Sequence, residues 1–144
     1  MIRNEEISVL NETCRNSRMA VEALNTVLNK VYDEELSYDL NCQINKYKEF
    51  ERKAERKLSE HGRAPKKDSI MSKAMLWTGI QTNTMLNTST SHVADMVIQG
   101  NTRGITELMK VTHNNKHAGS YANELAKELM DFEEMNIDKL KSYL

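Results

Sequence analysis

The sequence predicts an all-α protein, a bundle of antiparallel helices formed by one chain of 144 residues. Helix breakers are rare, since the chain contains one proline and five glycines. Apolar residues recur at spacings of three and four over long stretches, which is the period of an amphipathic helix. The length suits a single hydrophobic core. We therefore expect one helical domain spanning residues 1–144.

The charge balance excludes several function classes. The chain carries 20 basic and 21 acidic residues, for a net charge of −1. Such a balance lacks the basic excess that is typical of nucleic-acid-binding proteins. Nowhere do about 18 consecutive apolar residues occur, and the N-terminus has no signal-like apolar run. We expect a cytoplasmic protein that binds neither nucleic acid nor membrane.

Two helices are predicted to form a first hairpin over residues 4–61, with a turn near residue 33. Both have apolar stripes at helical spacing, and Gly62 and Pro65 predict a break near residue 64. The first stripe consists of Ile7, Leu10, Cys14, Ser17, Val21, Leu24, Leu28 and Val31. The second consists of Leu36, Leu40, Ile44, Tyr47, Phe50, Ala54 and Leu58.

A third predicted helix, over residues 68–87, crosses back between two hairpins. The sequence reads as helical from Lys67 almost to His113, but one helix of that span would be about 70 Å long. The first two helices reach only about 40 Å each. Ser and Thr favour helix caps over helix interiors, so we place a break near residue 89, in "NTSTS" (87–91). Residues 87–91 are then the joint between this helix and the next one, and a ligand pocket in the polar stretch 78–92 is the alternative.

A second hairpin is predicted over residues 91–142, with a break near residue 115. Its first helix carries Gly100 and Gly104 on an otherwise apolar face, each costing about 1 kcal/mol relative to Ala. We interpret them as a place where a neighbouring helix backbone packs closely; a break at "GNTRG" is the alternative. The apolar face of this helix consists of Val93, Val97, Gly100, Gly104, Leu108 and Val111. That of the last helix consists of Tyr121, Leu125, Leu129, Phe132, Ile137 and Leu140.

The predicted first hairpin also indicates whether the two cysteines can form a disulfide. Counted from a turn near residue 33, Cys14 and Cys42 differ in height by about nine residues, or roughly 13 Å. A disulfide needs Cα atoms within about 7 Å, so both should stay reduced. The same register sets Glu51 level with Cys14. A carboxylate beside a helix seam suggests a metal ligand, but a solvent-facing side chain is the ordinary interpretation.

Four segments resemble a bacterial family of ferritin-like proteins grouped as a domain of unknown function. They are "VLNETCRNSRMAVEAL", "KYKEFERKAERKLSEHGRAP", "SKAMLWTGI" and "SHVADMVIQGNTRGITELMK". The resemblance covers most of the chain and rests on helix-packing patterns. It implies a ferritin-like antiparallel four-helix bundle, with an additional crossover helix between the two hairpins, and no assigned activity.

Ferritin-like metal enzymes use a Glu from each of two helices and a Glu-x-x-His motif from each of the others. This sequence contains no Glu-x-x-His. The resemblance also implies a Glu after Gly100, where this chain has Asn101. We therefore predict no di-iron centre, no cofactor and no catalytic residues.

Five residues remain as weak candidates for binding an adventitious metal. His113 and His117 have an i, i+4 spacing, but "HNNKH" is typical of a turn and supplies no third ligand. His92 and Asp95 form a helical pair that suits a solvated first turn, and Glu51 is the fifth. Two function classes follow. One is a metal-free interaction or assembly module that forms a homo-oligomer, and the other is a degenerate metal- or small-ligand-binding protein.

Overall fold

The computed structural model describes residues 4–65 and 88–144, and this part of the chain is an all-helical bundle. Helix α1 spans Asn4–Leu28 and α2 spans Glu34–Glu60. Helix α3 spans Thr90–Asn114, and α4 spans Ser120–Leu140 and continues into a short 3-10 turn, Lys141–Tyr143. No described residue belongs to a strand. The predicted crossover helix 68–87 lies outside the described residues.

The helix ends confirm the predicted breaks near residues 33, 64, 89 and 115. Asp33 caps α2 by accepting a 2.8 Å hydrogen bond from the backbone N–H of Leu36, as short acidic residues do at helix starts. Ser89 caps α3 in the same way through His92 N–H. Helix α2 ends at Glu60, and Gly62 has a φ of +70°, a conformation that favours glycine.

The helices form two antiparallel pairs, α1 with α2 and α3 with α4. Helix α1 also packs on α3 and α4, and α2 packs on α4. At one end of the bundle Lys57 of α2 lies over the ring of Tyr121 at the start of α4. At the other end Tyr143 donates a 2.6 Å hydrogen bond to Asp39, near the start of α2. Helices α2 and α4 are therefore antiparallel, so α2 and α3 run in the same direction.

The buried core residues follow the predicted apolar faces, with exceptions in α1 and α4. All seven residues predicted for α2 are buried. Helix α1 buries a much wider surface than its predicted stripe because it contacts three other helices. The prediction for Tyr121 is wrong, since 43% of that residue is exposed. It lies at the bundle end beneath Lys57, where the ring is only partly covered.

Both cysteines are free, as predicted. The predicted register is wrong by one helical turn: Cys14 Sγ lies 3.9 Å from Glu55 Oε1, and Glu51 instead reaches Arg18 Nε at 3.6 Å. Residues 31–33 are not helical, and Asp33 is extended. Extended chain rises up to about 3.3–3.6 Å per residue against 1.5 Å in a helix. The extended connection therefore displaces the start of α2 along the bundle axis, beyond the end of α1.

Candidate functional site: a buried polar layer

Polar side chains from all four helices are buried among the core residues of the bundle, and we call this set the polar layer. Each is less than 5% exposed. Together they contribute one carboxyl group, one phenol and four amides. Its members are Asn16 of α1, Gln43 and Tyr47 of α2, Asn101 of α3, and Glu133 and Asn136 of α4.

Tyr47 connects three helices. Its hydroxyl lies 2.8 Å from Oδ1 of Asn101 and 3.0 Å from Oε2 of Glu133. Its ring packs edge-on against Phe132, with 5.1 Å between the ring centroids. A buried phenol needs a polar partner for its hydroxyl, and the layer supplies two.

Glu133 is fully buried, with 0% exposure, and burial raises the pKa of its carboxyl well above the usual value, although the hydrogen bond to Tyr47 opposes this rise. Burial likewise raises the pKa of the Tyr47 phenol above its usual value. The phenol has a single proton to share between two oxygens. Protonation of Glu133 would let its carboxyl group donate to the Tyr47 oxygen and would leave the Tyr47 proton for Asn101. A neutral carboxylic acid therefore satisfies both short contacts.

Gly104 makes room for this carboxyl group. A Cβ built on Gly104 would overlap the Glu133 carboxylate and lie 2.9 Å from its Cδ. Asn16 Nδ2 donates a 3.0 Å hydrogen bond to the Gly104 carbonyl. Both Gly100 and Gly104 lie inside α3 and are buried, so the alternative of a break at "GNTRG" is wrong. At Gly104 the close neighbour is a carboxyl group rather than the helix backbone that we predicted.

Five buried polar atoms of the layer have no hydrogen-bond partner among the described residues: Asn16 Oδ1, Gln43 Oε1, Asn101 Nδ2, Glu133 Oε1 and Asn136 Nδ2. Native proteins contain few such atoms, and each one calls for an explanation. Their concentration in a single layer marks it as the most unusual chemical feature of the described chain.

The donor set of the layer does not fit a di-iron centre. Glu133 and Asn136 have the i, i+3 spacing of a Glu-x-x-His motif, but an amide stands at the His position. Within residues 4–65 and 88–144, no three His, Cys, Asp or Glu side chains come together as a metal site would require. One carboxyl group among neutral amides lacks the carboxylates and imidazoles of such a centre.

The five residues considered as metal ligands do not come together in one cluster. Glu51 pairs with Arg18, and Asp95 accepts a 3.2 Å hydrogen bond from Gln99 on the surface of α3. His92 lies in the first turn of α3. His113 belongs to the last turn of α3, whereas His117 follows in the loop, so the two do not share a helix face. The predicted turn in "HNNKH" is confirmed.

Sequence reasoning missed Asn16, Gln43, Glu133 and Asn136, because amphipathic patterns are found by counting apolar residues. A helical pattern of polar residues was present all the same. Gln43 and Tyr47 are four residues apart, and Glu133 and Asn136 are three apart, each pair on one helix face.

Comparisons with known proteins returned nothing similar. No family model matches the chain, and no curated protein and no solved structure matches it either. Among the described helices, none combines the length and the apolarity needed to cross a membrane.

Proposed function

We propose that this chain is a metal-free, non-catalytic bundle of the ferritin-like type that acts as an assembly module and forms a homo-oligomer. The observation that carries the metal-free part of the proposal is the composition of the polar layer. The described core of this bundle holds amides, a phenol and one buried carboxyl group, whereas a ferritin-like metal enzyme gathers carboxylates and imidazoles in its core. A neutral layer of this kind has no ligand set for oxygen-activating metal chemistry.

The directions of the helices support the ferritin-like part of the proposal. Ferritin-like bundles join two antiparallel pairs by one long crossover connection. Here α2 ends beside the start of α4, and α3 begins at the opposite end of the bundle. The end of α2 and the start of α3 therefore lie at opposite ends of the bundle, as in the ferritin-like arrangement.

The test is a pair of measurements on the full chain purified without a histidine tag. We expect no stoichiometric metal by elemental analysis and no Fe(II) oxidation, together with a concentration-dependent oligomer by sedimentation velocity. Two irons per chain with measurable Fe(II) oxidation would overturn the metal-free part. A monomer at every concentration would overturn the assembly part.

The second candidate function is a degenerate metal- or small-ligand-binding protein, and it is favoured by the five atoms of the layer that lack a hydrogen-bond partner among the described residues. A guest in the layer would supply the partners that these atoms lack. Thermal unfolding with and without Fe(II), Zn(II) or Ca(II) tests this candidate. A higher midpoint in the parent, lost in Glu133→Gln, would support binding in the layer, and unchanged midpoints would exclude these three ions.

A further inference from the structure

The outer face of the α3–α4 pair carries a groove. Its volume is about 530 Å³. The apolar part consists of Ile105, Met109 and Met130, and 46% of Met109 is exposed. Met is a flexible side chain that adapts to different partner surfaces. We call this region the α3–α4 groove.

Charge is unevenly distributed along the groove. Towards the loop between α3 and α4 it is lined by His113, Lys116 and Lys127, and farther along α4 by Asp131 and Glu134. Lys127 and Asp131 are 3.7 Å apart, with 75% and 63% of their side chains exposed. Such an exposed pair contributes little to stability, so both groups can pair elsewhere at small cost.

From this arrangement we infer that the α3–α4 groove binds a second copy of the chain in a two-fold, antiparallel dimer. The inference rests on the proposed assembly function and names the interface. A two-fold interface must be complementary to itself. Lys127 and Glu134 are seven residues apart, on one face of α4, with Met130 close to their midpoint.

A two-fold axis near Met130 determines which residues the charged side chains of Lys127 and Glu134 face in the second copy. It sets Lys127 of each copy opposite Glu134 of the other, so that the same ion pair forms twice. It also brings Met109 and Met130 of the two copies together at the centre. The groove thus has the apolar middle and the charged rim that are typical of protein interfaces.

The experiment measures the dimer dissociation constant of the full chain by sedimentation velocity. Met109→Glu should abolish the dimer by placing a charge at the apolar centre. The matched control is Met135→Glu, since Met135 is 48% exposed but lines a different cleft, between α2 and α4. Circular dichroism establishes that both variants fold.

Charge exchange tests the two-fold register itself. Lys127→Glu and Glu134→Lys should each weaken the dimer at least about tenfold, because like charges then face each other twice. The double variant should restore the parent affinity. Lys48→Glu, an exposed change on α2, should have no effect.

The outcomes separate this inference from the proposed function. If the parent assembles and the groove variants assemble equally well, the interface is wrong and the assembly function stands. If single variants weaken the dimer and the double variant does not restore it, the antiparallel register is wrong. A parent chain that is monomeric throughout contradicts the assembly function and, with it, the interface.

Discussion

Carboxyl groups occur in two contrasting places in this bundle. Glu133 is buried in the polar layer, where its nearest partners are neutral. Glu51 and Glu55 lie at the edge of the α1–α2 pair and share the Arg18 guanidinium, with Arg18 Nη2 2.9 Å from Glu55 Oε1. Burial alone would lower the pKa of the Arg18 guanidinium. The nearby Cys14, Glu55 and Glu51 outweigh this effect, so the pKa of Arg18 is raised above its usual value.

The difference shows how burial determines the protonation of a side chain. A charge without a counter-charge is costly in the core, so burial raises the pKa of the Glu133 carboxyl group and favours its neutral form. At the edge, water and a guanidinium stabilise the ionised form. Changes in the polar layer should consequently cost more than changes around Arg18.

The largest loss of stability is expected for substitutions at Gly104. Gly104→Leu has to displace the Glu133 carboxyl from its place against α3, and we expect a loss of roughly 3 kcal/mol or more in the free energy of unfolding. Gly104→Ala should lose less, because Ala regains about 1 kcal/mol of helix propensity. Urea denaturation measures both variants.

The control for Gly104 is Thr102→Leu, an exposed change on the same helix that should stay within about 0.5 kcal/mol. Adding Glu133→Ala to Gly104→Ala should cancel much of the loss caused by Gly104→Ala. If the stability losses of the two substitutions were simply additive, Gly104 would not be the residue that makes room for the Glu133 carboxyl group.

The next effect is expected at Tyr47. Tyr47→Phe removes the hydroxyl that lies between Asn101 and Glu133 and leaves both without that partner. The expected loss is about 1–3 kcal/mol, measured by the same denaturation. Tyr32→Phe is the control, since 86% of Tyr32 is exposed. Equal stabilities for both variants would show that the hydroxyl contacts contribute nothing.

The smallest effect is expected at Arg18. Arg18→Met keeps most of the apolar stem and removes the guanidinium from Glu51 and Glu55. Because 25% and 40% of those side chains are exposed, water can replace the cation. We expect a loss below about 1 kcal/mol that shrinks as salt is added. A loss larger than that of Tyr47→Phe would reverse the comparison between the two regions.

Much of the fold was predictable, because helix breaks and apolar faces depend on local chemistry. Ser89 and Asp33 cap helices whichever way the bundle packs, and the apolar face of α2 follows from spacing alone. Register was less predictable, since three non-helical residues before α2 moved it by one turn. The polar layer was the least predictable feature, because burial of Glu133 depends on Gly104, Tyr47 and Asn101 meeting it from other helices.

The central claim is that the centre of the bundle is a neutral polar layer, and the pH dependence of stability tests it most directly. Because the pKa of Glu133 is raised in the folded state, the folded chain holds a proton that the unfolded chain releases above about pH 4.3. The stability that Glu133 contributes is therefore full below that pH and is lost as pH rises towards the folded-state pKa.

The decisive measurement compares the free energy of unfolding of the parent and of Glu133→Gln, which cannot ionise, from about pH 4 to about pH 8. We predict that the stability of the parent relative to the variant falls steadily across this range. A difference that stays constant or rises with pH would mean that Glu133 is ionised in the folded protein. It would then be available as a ligand, and the neutral layer would be contradicted.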